Sequence, residues 1–284
     1  MHLIAFDTST DALSVAVLRS TSAGPRYWQH AGAGGAAASG SLIAGIMDLL
    51  RQADLRLQDL DAICFGSGPG SFTGLRTACS VAQGLAYGAG VPVLPVPSLL
   101  ALAQSARAAH APLATHGCVS ALLDARMDEV YAATYGFDIH GWTTLQAPCL
   151  LAPEQVSAWS QAVQAQHSAA SLTPGAQPNQ AWCAWAGNVF GIYGQRLAAP
   201  AAWMCCDAFP QAMAILQVAP ALIAAGACVP PEQALPLYVR DKVAKTTGER
   251  AVEKAAKASS SHSERASAAA PLILPAAHAP TPGT

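Results

Sequence analysis

Two kinds of position in this chain carry residues whose types and spacing could do chemistry. The first is the run Gly66-Ser67-Gly68-Pro69-Gly70-Ser71-Phe72-Thr73-Gly74-Leu75-Arg76. It sits between a short apolar stretch, Asp61 to Gly66, and a helix expected from about Ser71 to Tyr87. Glycines there permit positive φ and close backbone approach, and the N–H groups opening the helix could hold an anion such as a phosphate. Gly68 and Gly70 would line that cradle. The run is not a Walker A loop, because the Lys-Ser/Thr pair is missing, and it is not a dinucleotide fingerprint, because Ser71 stands in the third glycine's place. A tight turn capped by Ser71 is the simpler account of the same residues.

The second kind is an acid closing an apolar strand. His2-Leu3-Ile4-Ala5-Phe6-Asp7 leads into Thr8-Ser9-Thr10-Asp11, and the apolar stretch from Gly117 also ends on an acid, Asp124. Such an acid could face a metal-bound phosphate. It could as well cap its own turn, as Asp7 could for Ser9, or pair locally, as in Asp124-Ala125-Arg126. Metal-ligand patterns are missing. Each of the eight histidines (His2, His30, His110, His116, His140, His167, His262, His278) lacks a second histidine within five residues, and no H-E-x-x-H or Cys/His cluster occurs. No metal site and no catalytic residue is expected. The eight cysteines form no C-x-x-C pair, and several lie in apolar runs as small hydrophobes.

The elements that must position these groups follow from the patterning. Apolar residues make up 52% of 284 residues and charged residues 11%, ample for a buried core. A formal charge of −2 gives no basic field for holding a nucleic acid unaided. The N-terminus has no basic region before an apolar one, and no apolar stretch is long enough to span a bilayer, so a cytoplasmic protein without a membrane segment is expected. Strands are expected at residues 2–7, 12–19, 27–31, 61–66, 91–96, 117–124, 129–137 and 181–186, and a short extended segment at 236–240. Helices are expected at 41–53, 71–87, from 98, at 153–166 and at 210–225. Residues 31–40, rich in Ala and Gly, and residues 168–180 read as loops. From about Lys245 the composition turns to Ala, Ser, Lys, Glu and Pro, and a disordered tail is expected. Both halves open on an apolar strand ending in Asp, a faint echo that suggests duplication of a mixed sheet flanked by helices.

Small residues mark the helix at 71–87. Gly74, Ala78, Ala82 and Ala86 form one row, and the helix before it presents Ser41, Ala44 and Gly45. Small residues let a neighbouring helix approach closely. That neighbour is either the other helix of this chain or a helix of a partner.

Ile4-Ala5-Phe6-Asp7-Thr8-Ser9-Thr10, the run from Gly66 to Arg76, Asp124-Ala125-Arg126-Met127-Asp128-Glu129-Val130-Tyr131 and Pro236-Leu237-Tyr238-Val239-Arg240 together resemble the signature of the TsaB (YeaZ) family, in order and approximate spacing. The resemblance is dense to Tyr131, thin from 138 to 230 and absent beyond 245. It implies an α/β fold of two actin-like (ASKHA, RNase H-like) subdomains, each a mixed sheet flanked by helices. The implied division is residues 1–109, completed by the helix around 210–226, residues 110–243, and a disordered tail from 244 to 284. It also implies a non-catalytic scaffold in the synthesis of threonylcarbamoyladenosine in tRNA. The scaffold would bind the transferase TsaD and work with TsaE, pair with itself when alone, and meet tRNA only through the complex.

Under the resemblance, Asp7, Thr8, Ser9, Gly68, Gly70 and Asp124 stand where actin-like enzymes contact nucleotide, with ATP or ADP at the complex interface as the candidate ligand. Ser41, Ala44, Gly45, Asp48, Gly74, Thr77, Ala78, Val81, Ala82 and Leu85 would form the partner face. The alternatives are a stand-alone actin-like ATP-dependent enzyme, kinase or hydrolase, and an M22-type glycopeptidase. The catalytic relatives carry an H-x-x-x-H pair on the first long helix, where this chain has no histidine from Ser39 to Gly45.

Overall fold

The first strand, β1 (His2–Asp7), is buried from Leu3 to Asp7 because helices cover both of its faces. Leu3 and Ala5 enter one core cluster, and Ile4 and Phe6 enter another. A strand enclosed in this way shows a continuous apolar run rather than alternation. The computed structural model describes residues 1–34, 38–170, 182–200 and 203–240, and Met1–Val239 form a compact unit. The expected disordered tail, 244–284, and most of the expected 168–180 loop lie outside the described residues.

After β1 come β2 (Ala12–Thr21), β3 (Gly24–Ala33), α1 (Ala38–Gln52), β4 (Ala62–Gly68), α2 (Phe72–Ala89), β5 (Val93–Pro97) and α3 (Ser98–His110). The strands form a five-stranded sheet in the order β3-β2-β1-β4-β5, antiparallel from β3 to β1 and parallel from β1 to β5. The second half is β6 (Gly117–Asp124), β7 (Val130–Asp138), β8 (Gly141–Leu151), α4 (Val156–Ala170), β9 (Trp182–Gly187), α5 (Phe190–Tyr193), β10 (Met204–Asp207) and α6 (Ala212–Ala224). Its sheet, β8-β7-β6-β9-β10, repeats the first in order and in strand direction. The echo of two apolar strands ending in Asp is thus a repeated topology, and Asp7 and Asp124 close equivalent central strands.

The last helix of each half packs on the sheet of the other. α6 lies against β1, β2 and β4, α3 lies against β6, β7 and β9, and the two helices pack on each other. Leu99 to Ala103 are all buried in α3, as expected of a helix enclosed between two sheets. The Gln104 side chain joins this layer, donating to Gln217 Oε1 at 2.7 Å and accepting from Trp142 Nε1 at 2.8 Å. α1 and α2 cover the opposite face of the first sheet. Among the described residues no helix is long and apolar enough to cross a membrane.

The structure corrects several boundaries. The expected loop at 31–40 is shorter, since β3 continues to Ala33 and α1 begins at Ala38, with residues 35–37 outside the described residues. Ten cross-strand pairs with β2 hold β3 in place, although the strand lies almost wholly at the surface and carries no apolar alternation. β8 and β10 were not expected. β8 is a half-exposed edge strand containing Pro148, and its pairing with β7 shifts register twice; irregular pairing of this kind removes the period-two signal. Residues 236–240 form no strand. The segment is anchored to the end of β4 by Leu237 N–H, which donates to Ser67 C=O at 2.7 Å.

The N-terminus of α6 has no cap from its own Gln211. Ser14 Oγ on β2 accepts from Ala212 N–H at 2.8 Å instead, tying the exchanged helix to the first sheet. Ser14→Ala leaves that donor without a partner and is expected to lower stability by about 1 kcal/mol in urea unfolding.

Candidate functional site

The site begins with the buried carboxyl group of Asp7, 1% exposed at the end of β1. Its Oδ1 accepts from the Ser9 N–H at 2.8 Å and from Ser9 Oγ at 2.6 Å, and its Oδ2 accepts from Ser98 Oγ at 2.8 Å. Ser98 Oγ in turn accepts from Gly68 N–H at 3.2 Å. One carboxylate therefore joins the first turn, the start of α3 and the glycine loop. Burial raises its pKa above the ordinary 3.8, and the hydrogen bonds from Ser9 and Ser98 act against that rise.

The glycines of the loop make room for the chain itself. A Cβ at Gly66 would fall on Asp7 Oδ2, one at Gly70 on the Ser9 carbonyl, and one at Gly74 on the Thr8 carbonyl. Ser71 N–H donates to Ser9 C=O at 2.7 Å, and Thr8 Oγ1 donates to Gly74 C=O at 2.7 Å. Gly74 N–H donates to Ser71 Oγ at 3.4 Å, so Ser71 does cap α2. Thr8 and Ser9 are buried, at 0% and 2% exposure. The Thr8-Ser9 turn packs directly on Gly70 and Gly74, and three of the loop's N–H donors (Gly68, Ser71, Gly74) are engaged within the chain. As arranged, Gly68 and Gly70 pack against Leu237 and Ser9, and with Asp7 and Thr8 these residues lock a turn onto a helix start.

Gly68 is a further case of close approach. It has φ +114°, and a Cβ there would meet Leu237 C=O at 2.8 Å. The late motif thus closes over the loop. Tyr238 Oη accepts from Arg76 Nε at 3.1 Å, its ring lies 5.7 Å from that of Phe72, and the Arg76 guanidinium stacks 3.8 Å above the Phe72 ring.

Asp124 is separate from this network. Its Oδ1 accepts from Tyr193 Oη at 2.7 Å and from Arg126 N–H at 2.9 Å, and its N–H donates to Asn188 Oδ1 at 2.8 Å. Oδ2 lies 3.5 Å from Arg126 Nε, the local ion pair considered from the sequence. Arg126, Met127 and Asp128 turn through consecutive left-handed conformations, φ 58° to 61°, costly for side-chain-bearing residues. Arg126 Nη2 also reaches Asp11 Oδ2 at 2.9 Å, so the third signature segment meets the turn that follows β1 through this pair.

The row of small residues faces inward. Gly74, Ala78 and Ala82 are buried in the chain, and Ala78, Ala82 and Ala86 belong to the same core cluster as Leu42, Ile46 and Leu49 of α1. These three residues of the expected partner face are therefore not at the surface; they let α1, α2 and the sheet approach one another. Gly45 is half-buried, its Cβ direction 3.3 Å from His30 Cδ2. Ser41, Ala44 and Asp48 are exposed, and Thr77, Val81 and Leu85 are half-buried. Beside them Ile43 and Met47 are 50% and 47% exposed. Among the described residues, no three His, Cys, Asp or Glu side chains gather in a group that could hold a metal ion.

Ser98, Tyr193 and Asn188 were not foreseen as site residues. Ser98 showed only as the first residue of an expected helix. No sequence signal linked Tyr193 or Asn188 to Asp124, since 69 and 64 positions separate them.

A family model described as "TsaD: tRNA N6-adenosine threonylcarbamoyltransferase" matches residues 37–247. The tRNA threonylcarbamoyladenosine biosynthesis protein TsaB of Escherichia coli is 33% identical over 254 residues, covering 86% of this chain and 96% of the relative. Its Haemophilus influenzae counterpart is 42% identical over 131 residues, 46% of this chain and 52% of the relative. Among solved structures, YeaZ from Pseudomonas aeruginosa superposes with a TM-score of 0.66 at 36% identity, covering 84% of this chain and 99% of that one. A second, described as an uncharacterized protein with similarity to peptidase YEAZ from the same organism, gives 0.67 at 34% identity over the same shares.

Gly74→Ala forces a methyl group into a backbone carbonyl and is expected to cost about 3 kcal/mol or more, or to prevent folding. Gly84→Ala, on the same helix with open space around it, should stabilise the chain by about 0.5–1 kcal/mol. Equal urea midpoints for the two variants would contradict the self-filled loop. Asp7 supplies a pH test. Because its folded pKa is raised, the folded chain takes up the proton before the unfolded chain does. Wild-type stability relative to Asp7→Asn should therefore rise as pH falls from the folded value toward 3.8 and be level on either side of that window. Paired urea titrations from neutrality to about pH 3 would show it.

Proposed function

We propose, from the premise that the chain belongs to the TsaB (YeaZ) family of tRNA threonylcarbamoyladenosine biosynthesis proteins, that it acts in that synthesis as a non-catalytic subunit. The observation that carries this reading is the self-filled loop. Both oxygens of Asp7 are bonded inside the chain, and the Thr8 and Ser9 carbonyls stand over Gly74 and Gly70. The acid that the family resemblance would turn toward a nucleotide's phosphates is thereby engaged inside the chain. Here the loop serves to fix α2, the helix that borders the proposed partner face.

In this reading residues 1–109, completed by α6, and residues 110–243 are two actin-like subdomains. The first would present α1 and α2 to the transferase TsaD, TsaE would join the assembly, and tRNA would be met only through it. The face would comprise Ser41, Ala44 and Asp48 of α1 with Thr77, Val81 and Leu85 of α2, next to the exposed Ile43 and Met47. Two chains could pair through the same face when the transferase is absent.

Reconstitution tests the reading. Supplied with tRNA and an activated threonylcarbamoyl donor, the purified chain alone should transfer no threonylcarbamoyl group, and adding TsaD and TsaE should produce the modified nucleoside. Transfer by the chain alone would defeat it. Met47→Asp places a charge on the exposed face without touching the core. It should weaken co-elution with TsaD about tenfold with an unchanged thermal midpoint. Undiminished binding would move the partner surface elsewhere.

A further inference from the structure

Cys118 and Cys183 occupy the beginnings of the neighbouring parallel strands β6 and β9 and are direct register partners. Their sulfurs lie 3.2 Å apart, with the Cys118 S–H donating to Cys183 Sγ. Both side chains are half-buried, unlike Cys64 and Cys79, which are buried in the core. Adjacent strands run about 4.8 Å apart, inside the range of Cα separations that a disulfide spans. The sulfurs need to close by only about 1 Å to reach bonding distance.

We propose that Cys118 and Cys183 form a reactive dithiol that a low-molecular-weight disulfide such as glutathione disulfide converts, reversibly, into a cross-strand disulfide. Accepting the Cys118 hydrogen bond lowers the pKa of the Cys183 thiol, while the same bond and burial raise that of Cys118. Cys183 is thus the attacking thiolate and Cys118 the resolving thiol. The Cys183 thiolate attacks one sulfur of glutathione disulfide, the S–S bond breaks, and one glutathione leaves as its thiolate. Cys118 then loses its proton and attacks Cys183 Sγ, displacing the second glutathione. Two protein thiols are oxidised and one glutathione disulfide is reduced to two glutathione molecules. Reduced glutathione drives the exchange backward.

The pair lies on the second sheet, apart from the proposed partner face on α1 and α2, so this inference does not depend on the functional reading. The test uses the full chain, incubated with mixtures of oxidised and reduced glutathione, alkylated and mapped by mass spectrometry without reduction. The expected result is a linked peptide pair holding Cys118 and Cys183, with loss of alkylation at both and recovery on adding reduced glutathione. In Cys118→Ser, Cys183 should retain a stable glutathione adduct because no thiol resolves it. In Cys183→Ser, Cys118 should remain a thiol. If Cys118 and Cys183 of the folded wild-type chain stay fully alkylated even in oxidised glutathione alone, the inference is overturned. So is a Cys118→Ser variant whose Cys183 takes up no glutathione.

Discussion

A carboxyl group with almost no access to water must have its oxygens satisfied by the chain, and Asp7 is such a group. Its two oxygens take three donors, from Ser9 and Ser98, and Ser98 passes the connection to Gly68. Those bonds hold the first turn, the end of β4 and the start of α3 in one arrangement. Once the turn is held there, the Thr8 and Ser9 carbonyls can be accommodated only where the facing residues lack a Cβ, and Gly70 and Gly74 meet that need. The start of α2 is fixed as a consequence, and with it the packing of α2 on α1.

The second half repeats the topology but solves its strand end differently. Asp124 closes β6 as Asp7 closes β1, yet its partners are the Tyr193 hydroxyl, the Arg126 amide and guanidinium, and the Asn188 side chain. The turn beyond it takes left-handed residues where the first turn takes a buried Ser9. Its arginine reaches out to Asp11, so the two strand-end turns meet through an exposed ion pair rather than a shared core. An exposed pair contributes little to stability on its own. The exchange of α3 and α6 between the sheets is the stronger tie, because it places apolar side chains from both halves in one core cluster.

Much of this could be read directly from residue patterns. The central strands are continuous apolar runs, and α1, α2 and α6 show helical periodicity, so their existence and order were legible. The Asp7–Ser9 turn and the Ser71 cap were legible too, because both act over two or three residues. β8 and β10 were not, since an irregularly paired edge strand and a four-residue strand carry little periodic signal. The register of β9 beside β6, which sets Cys118 against Cys183, was beyond reach for a related reason: pairing between parallel strands leaves no local trace.

By itself, then, the sequence determined the element types of the central layers, the acids at the ends of β1 and β6, and the family to which the signature segments point. Only the tertiary structure decided what the glycines face and which side of α2 is outward. Gly74, Ala78 and Ala82 look the same in sequence whether they admit a partner helix or their own sheet, because a missing side chain states only that something comes close. What comes close is set by the packing of residues distant in the chain. Here it is the Thr8 carbonyl and the core beneath α1, held in place by a carboxylate that the fold has closed off from water.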